Sequence, residues 1–331
     1  MDLAVDCLGI RFRNPVLLAA GTCGFGEEVA SVARLDRVGG LVTKSVTLEP
    51  RWGNPAPRVA ELRAGMINSV GLANPGARAV LAEKLPWIRD HLADVPVFVS
   101  VAGHTPEEFW EVVEILEGGA GFAGFEINLS CPNDTRRDGF PFALDPEAVD
   151  KVLRGVRERT ARPVLAKLAA HAPVLGPVIR SAESAGANGL TLVNTLPGLA
   201  FDLETRSPVL GAGPGGVSGP GLLPVGVHTT WSAARLTSLP LLGVGGISRG
   251  EDACQYLLAG ASLVQVGTAS FWDPRAGGRV ASELHRIGRS SGIQSVTEWI
   301  GGGLPPVADP PADAQGGAVL DGDGKKVIHE S

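Results

Sequence analysis

The sequence predicts an α/β fold, a (β/α)8 TIM barrel with mouth insertions after strands 2 and 6 and a disordered C-terminal tail. Three observations lead there. Eight short apolar runs alternate with eight helix-length segments, over the roughly 250 to 300 residues that such a barrel takes. The fingerprint of a doubly wound dinucleotide fold fails at the first strand–helix turn, where Gly24-Phe25-Gly26 is followed by Glu27, Glu28 and Val29 instead of a third glycine. Polar side chains of chemical use sit at the carboxyl ends of the apolar runs, where barrels build their sites.

The elements follow in order. Pro15–Ala20 and Gly40–Val46 read as the first two strands, with Glu27–Val38 as the helix between them. An insertion rich in Gly and Pro, Leu48–Asn74, precedes the second helix at Pro75–Leu92. Strands at Pro96–Val101, Gly124–Leu129, Pro163–Leu168 and Gly189–Asn194 are each followed by a helix, at Pro106–Glu117, Pro146–Arg159, Leu175–Ala185 and Leu223–Leu236. A second Gly- and Pro-rich insertion, Pro197–Pro220, lies between the sixth strand and its helix. Pro240–Val244 and Ser262–Val266 complete the eight strands, with helices at Arg249–Ala259 and Ala276–Arg289. Both insertions follow strands, so both should wall the catalytic mouth. Residues 1–300 are read as the barrel, and 301–331 as a flexible tail rich in Gly, Pro and Asp.

A hydrophobic fraction of 44 % suffices for a full core. The net charge is −6 and no basic cluster appears, so neither nucleic acid nor a membrane surface is expected as a partner. The amino terminus carries no signal-peptide pattern, and no apolar stretch reaches the ~18 residues of a membrane span. Cys7, Cys23, Cys131 and Cys254 are too widely spaced for a zinc or iron–sulfur ligand run, and the six histidines show no metal spacing. A cytoplasmic protein with separate thiols and no metal is expected.

Six lysines occur, and two of them, Lys44 and Lys167, stand at strand ends inside apolar runs. Burying an ammonium is costly unless an anion meets it, so either an internal ion pair or an anionic ligand is implied, and two such lysines favour the ligand. Gly245-Gly246 after strand 7 and Gly267-Thr268 after strand 8 offer backbone N–H groups where barrels hold phosphate. Cys131, beside Pro132 in a predicted loop, is a candidate base, against the common reading of a free cysteine as a small hydrophobe. Asn68, Asn128, Asn133 and Asn194 are each at a strand end or in an insertion. Alone each reads as a turn residue, but together they could address the donor and acceptor edges of a planar polar ring.

The run Asn128-Leu129-Ser130-Cys131-Pro132-Asn133 resembles the catalytic loop of class 1 dihydroorotate dehydrogenases. The resemblance extends, in the same order, to Gly24-Phe25-Gly26-Glu27-Glu28, Gly53-Asn54-Pro55, Pro57-Arg58, Asn68-Ser69-Val70-Gly71-Leu72, Asn74-Pro75-Gly76, Asn194-Thr195, Gly215-Gly216-Val217-Ser218-Gly219-Pro220 and Val266-Gly267-Thr268. It is strongest to the class 1B catalytic subunit and spans residues from about 8 to 300. What it implies is oxidation of dihydroorotate to orotate in pyrimidine (UMP) synthesis, with FMN as cofactor and Cys131 as the base at C5 while hydride leaves C6 for flavin N5. Substrate would be held by Lys44, Asn68, Ser69, Val70, Gly71, Leu72, Asn128, Asn133, Asn194 and Thr195. FMN would be held by Ala20, Lys44, Ser45, Ser100, Asn128, Lys167, Val193, Gly219, Gly245, Gly246, Gly267 and Thr268.

The same resemblance implies a homodimer of catalytic chains and a partner subunit with FAD and a 2Fe-2S cluster, through which electrons reach NAD. Ala20 replaces a common serine, Ser100 a flavin-facing asparagine, and His171 an asparagine at the end of the fifth-strand motif. The first two should weaken FMN binding, each by a hydrogen bond of about 0.5 to 1.5 kcal/mol. A fumarate-dependent class 1A-like enzyme and a flavin oxidoreductase of a related dihydropyrimidine are the alternatives. A non-redox phosphate-binding barrel would use the two lysines and the glycine pairs but leaves Cys131 and the asparagines without a role.

Overall fold

In the computed structural model, residues 1–130, 141–170 and 172–306 are described. Eight parallel strands close into a barrel: β1 (Val16–Leu18), β2 (Gly40–Val42), β3 (Val97–Val101), β4 (Gly124–Asn128), β5 (Val164–Leu168), β6 (Gly189–Leu192), β7 (Leu241–Val244) and β8 (Leu263–Val266). Each pairs with its neighbours in sequence, and β8 closes on β1 through Val264↔Val16 to Val266↔Leu18. Nearly every strand residue is buried, because helices cover the outside and side chains fill the inside. Parallel strands buried on both faces read as unbroken apolar runs, which is why the sequence announces them.

The helices after β3 to β8 are α3 (Pro106–Glu117), α4 (Pro146–Arg157), α5 (Ala172–Ser184), α6 (Leu223–Ala234), α7 (Gly250–Leu258) and α8 (Ala276–Ser290), where α1 and α2 denote the shorter elements after β1 and β2. Side chains start them. Thr105 accepts from the Glu108 N–H before α3, and Asp145 accepts from Glu147 and Ala148 before α4. The expected first helix, Glu27–Val38, is instead three short pieces, with only Ala30–Ala33 (α1) α-helical. Arg34 breaks it with φ 50°, a left-handed conformation that no helix continues through. The expected Pro75–Leu92 helix forms as Ala77–Ala79, a π segment at Val80–Lys84, and Leu85–His91 (α2).

The two insertions are one structure. Val59–Leu62, Gly65–Asn68, Leu196–Gly198 and Gly215–Ser218 form a four-stranded antiparallel sheet over the carboxyl ends of the barrel strands. One of its two inner strands, Gly65–Asn68, has Asn68 opposite Val59 on one side and Gly216 on the other. Sequence reading treated these stretches as walls without strands, since their glycines and prolines hide the alternation. At the other end, a hairpin of Val5–Cys7 and Ile10–Phe12 packs Val5, Cys7 and Phe12 into the core beneath the barrel. Residues 301–306, expected in the tail, form turns on α7, with Gly301 and Gly303 N–H bonded to the carbonyls of Leu257 and Leu258.

Candidate active site

One cavity opens at the carboxyl ends of the barrel strands, under the antiparallel sheet. Lys44 follows β2, Asn128 ends β4, Lys167 lies within β5, and Val193, Asn194 and Thr195 follow β6; all line the cavity. The sheet contributes Asn68, and the loop after it Val70, Gly71 and Leu72. Ala20, Ser45, Gly245, Gly246, Gly267 and Thr268 line the remaining sides. Residues as distant in sequence as Ala20 and Thr268 thus meet because parallel strands all end at the same face.

The amide groups of Asn194 and Asn128 are linked, and Asn68 is tied separately to the backbone. Asn194 Nδ2 donates to Asn128 Oδ1 at 3.3 Å and to Ser130 Oγ at 3.1 Å, while Asn194 Oδ1 accepts from the Thr195 N–H at 2.7 Å. Asn128 Nδ2 in turn donates to Ser45 Oγ at 3.3 Å, and Asn68 Nδ2 to the Gly216 carbonyl at 3.2 Å. Side chains tied in this way present fixed donors and acceptors to a ligand.

The glycine side is shaped by what a Cβ would meet. Gly246 has φ 75°, and a Cβ there would lie 2.5 Å from the Leu223 nitrogen; Gly245 has φ 127°. A close backbone approach of this kind suits a phosphate group. The amino end of α7 is not free for that purpose, because Asp252 Oδ2 already accepts from the Ser248 and Arg249 N–H groups and from Ser248 Oγ.

Comparison with known proteins bears on this arrangement. The family model described as dihydroorotate dehydrogenase matches residues 2–287. The chain belongs to the dihydroorotate dehydrogenase family. Over 300 residues it is 43 % identical to the dihydroorotate dehydrogenase B (NAD(+)) catalytic subunit of Geobacter sp. (strain M21), covering 91 % of this chain and 97 % of that one. It is 46 % identical to a protein of Solibacter usitatus provisionally named dihydroorotate dehydrogenase A (fumarate), covering 91 % and 98 %. The Eimeria tenella DHODH, solved with ferulenol, shares the fold at a TM-score of 0.78 and 23 % identity, over 91 % of this chain and 88 % of that one. The enzyme is thus an oxidoreductase of this family.

Three of the residues that the family resemblance assigned to ligands stand behind the cavity lining. Ser69 is buried and its Oγ accepts from Asn54 Nδ2 at 2.8 Å. Ser100 is fully buried, its Oγ 2.8 Å from Ser45 Oγ. Gly219, with φ 114°, lets the chain pass Gly65, whose Cα a Cβ would approach to 2.5 Å. Cys131, Asn133 and His171 lie outside the described residues. Sequence reading passed over the side chains beneath Lys167. Fully buried Glu126 holds Lys167 Nζ at 3.3 Å through Oε1 and accepts from Thr191 Oγ1 and Gln265 Nε2, both at 2.9 Å, through Oε2. The available signal was polar residues at inward strand positions of an otherwise apolar barrel.

Proposed function

We propose that this chain binds FMN in the mouth cavity and uses it to oxidise dihydroorotate to orotate. The observation that carries the reading is the convergence of Lys44, Lys167, Asn68, Asn128 and Asn194 on one cavity whose far side is made by Gly245, Gly246 and Gly267. The residues fit the cofactor. The glycine turns leave room for a phosphate, and Lys44 and Lys167 bring positive charge to a ring that gains electrons. Bound there, FMN would take up the hydride that leaves C6 of the substrate.

The chain's own residues would do the rest. Lys44 would pair with the substrate carboxylate, and Asn68, Asn128 and Asn194 would orient the pyrimidine through their amides, Asn194 held to Asn128, Asn128 to Ser45 and Asn68 to the Gly216 carbonyl. Cys131, four residues after Ile127 of β4 in the sequence, would take the C5 proton, and Asn133 would help to hold the pyrimidine. Leu72 and Val70, from the loop beyond the antiparallel sheet, would exclude water over the ring. For the electron acceptor we infer NAD, reached through a partner subunit with FAD and a 2Fe-2S cluster, in keeping with the name of the Geobacter relative. The name of the Solibacter relative favours fumarate as the second reading. We further infer a cytoplasmic chain, in keeping with Cys7, Cys23 and Cys254 standing as free thiols, and, from the class 1B resemblance alone, a homodimer.

Anaerobic titration of the FMN-loaded chain with dihydroorotate tests the reading. Bleaching of the flavin band is expected, and reoxidation by fumarate without any partner would move the assignment to the second reading. A band that dihydroorotate leaves unchanged would overturn the substrate.

A further inference from the structure

The inside of the barrel carries a polar cluster of which the reading above uses only Lys167. Glu126 on β4 is fully buried, and three donors from β5, β6 and β8 converge on its two oxygens: Lys167 Nζ, Thr191 Oγ1 and Gln265 Nε2. Thr191 and Gln265 are also fully buried, and Gln265 Oε1 has no hydrogen-bond partner among the described residues. An apolar layer would serve the barrel at least as well, since buried ion pairs recover little more than their desolvation and an unpaired amide oxygen recovers nothing. The cluster therefore needs a reason beyond stability. Lys167 supplies it, because of the four it alone reaches the mouth cavity.

We propose that Glu126 is a positioning residue which, clamped by Thr191 and Gln265, fixes Lys167 Nζ on the cavity floor and sets the reduction potential of the flavin bound above it. The proposal rests on the FMN reading and names the group that tunes it. An ammonium has three donors, and Glu126 takes one of them, which anchors Lys167 beside the cavity it lines. Glu126 also offsets part of the positive field that Lys167 projects. A flavin gains negative charge on reduction, so the buried carboxylate opposes reduction, and the Thr191 and Gln265 dipoles, aimed positive end first at Oε2, limit that opposition.

Two variants should move the potential in opposite directions. In Glu126→Gln the opposing charge is gone, and the FMN midpoint should rise by at least about 30 mV, a tenfold change in the ratio of reduced to oxidised FMN affinity for a two-electron couple. In Thr191→Val the charge stays and one of its dipoles is lost, so the midpoint should fall. Spectroelectrochemical titration of the FMN-loaded proteins reads both, with thermal melting alongside. If both variants melt lower yet keep the wild-type potential, the cluster is barrel packing only and the proposal is overturned. Should Glu126→Gln fail to fold, the near-isosteric Thr191→Val decides by the sign of its shift, with no shift or a rise counting against the proposal. An unaltered chain that does not bind FMN would instead overturn the parent reading, and the proposal with it.

Discussion

Ser100 stands where the family resemblance places a flavin-facing asparagine, yet its side chain is fully buried and reaches the cavity only by way of Ser45, 2.8 Å away. The hydroxyl pair replaces one direct contact with an indirect one. Ser100→Ala should therefore leave the Ser45 hydroxyl tied to Asn128 but without its second partner, and FMN affinity, read by fluorescence quenching on titrating the apoprotein, should fall only about two- to tenfold, the worth of one ordinary hydrogen bond. A loss of a hundredfold or more would place Ser100 against the flavin itself. Burial pushes the Cys23 thiol up to about 12, with the Glu28 carboxylate adding to it, and pushes Cys7 and Cys254 up to about 11. Thiolate is the reactive form, so these three should resist alkylation at pH 7 to 8. Iodoacetamide inactivation should thus track mass-spectrometric labelling of Cys131 alone, with dihydroorotate slowing both; label on Cys254 in step with lost activity would contradict the assignment of the base.

At the level of elements, the strands were readable and the mouth was only partly so. β1 to β8 are buried on both faces, and apolar runs such as Leu241–Val244 need no partner to be recognised. The antiparallel sheet is different, because its strands come from insertions more than a hundred residues apart and are laid down by a pairing that no local pattern encodes. Gly216 in Gly215–Ser218 sits under Thr195, and a Cβ there would come within 2.1 Å of Thr195 Oγ1. Gly216→Val should therefore push the sheet away from the cavity while the barrel stays closed. The expected result is a several-fold rise in KM for dihydroorotate with unchanged far-ultraviolet circular dichroism and retained FMN, since Asn68 donates to the Gly216 carbonyl and faces the substrate side. Equal KM values would show that the sheet does not order the substrate site.

Across the whole molecule, the barrel closes because β8 meets β1, and this joins residues near the amino terminus to those near 266 in one cooperative core. Its order of elements was legible since each strand–helix unit is local, whereas the Glu126 cluster was not, because it draws one residue from each of four strands and depends on which way each points. Such a core also links folding to proton uptake. Cys23 is wholly enclosed, with its thiol 3.4 Å from the Val42 carbonyl, and it keeps its proton up to about pH 12 when folded, against an ordinary value of 9.0. Between those values the unfolded chain has released the proton and the folded one has not, so stability is complete below about pH 9 and declines above it, by at most about 1.4 kcal/mol per pH unit for this one thiol. Cys23→Ala removes that dependence at the cost of a small void, worth about 1 kcal/mol. The two urea-unfolding curves should accordingly converge and then cross, the variant being the less stable at pH 7 and the more stable by pH 11. Parallel stability profiles would mean that Cys23 is not the thiol whose proton the barrel holds.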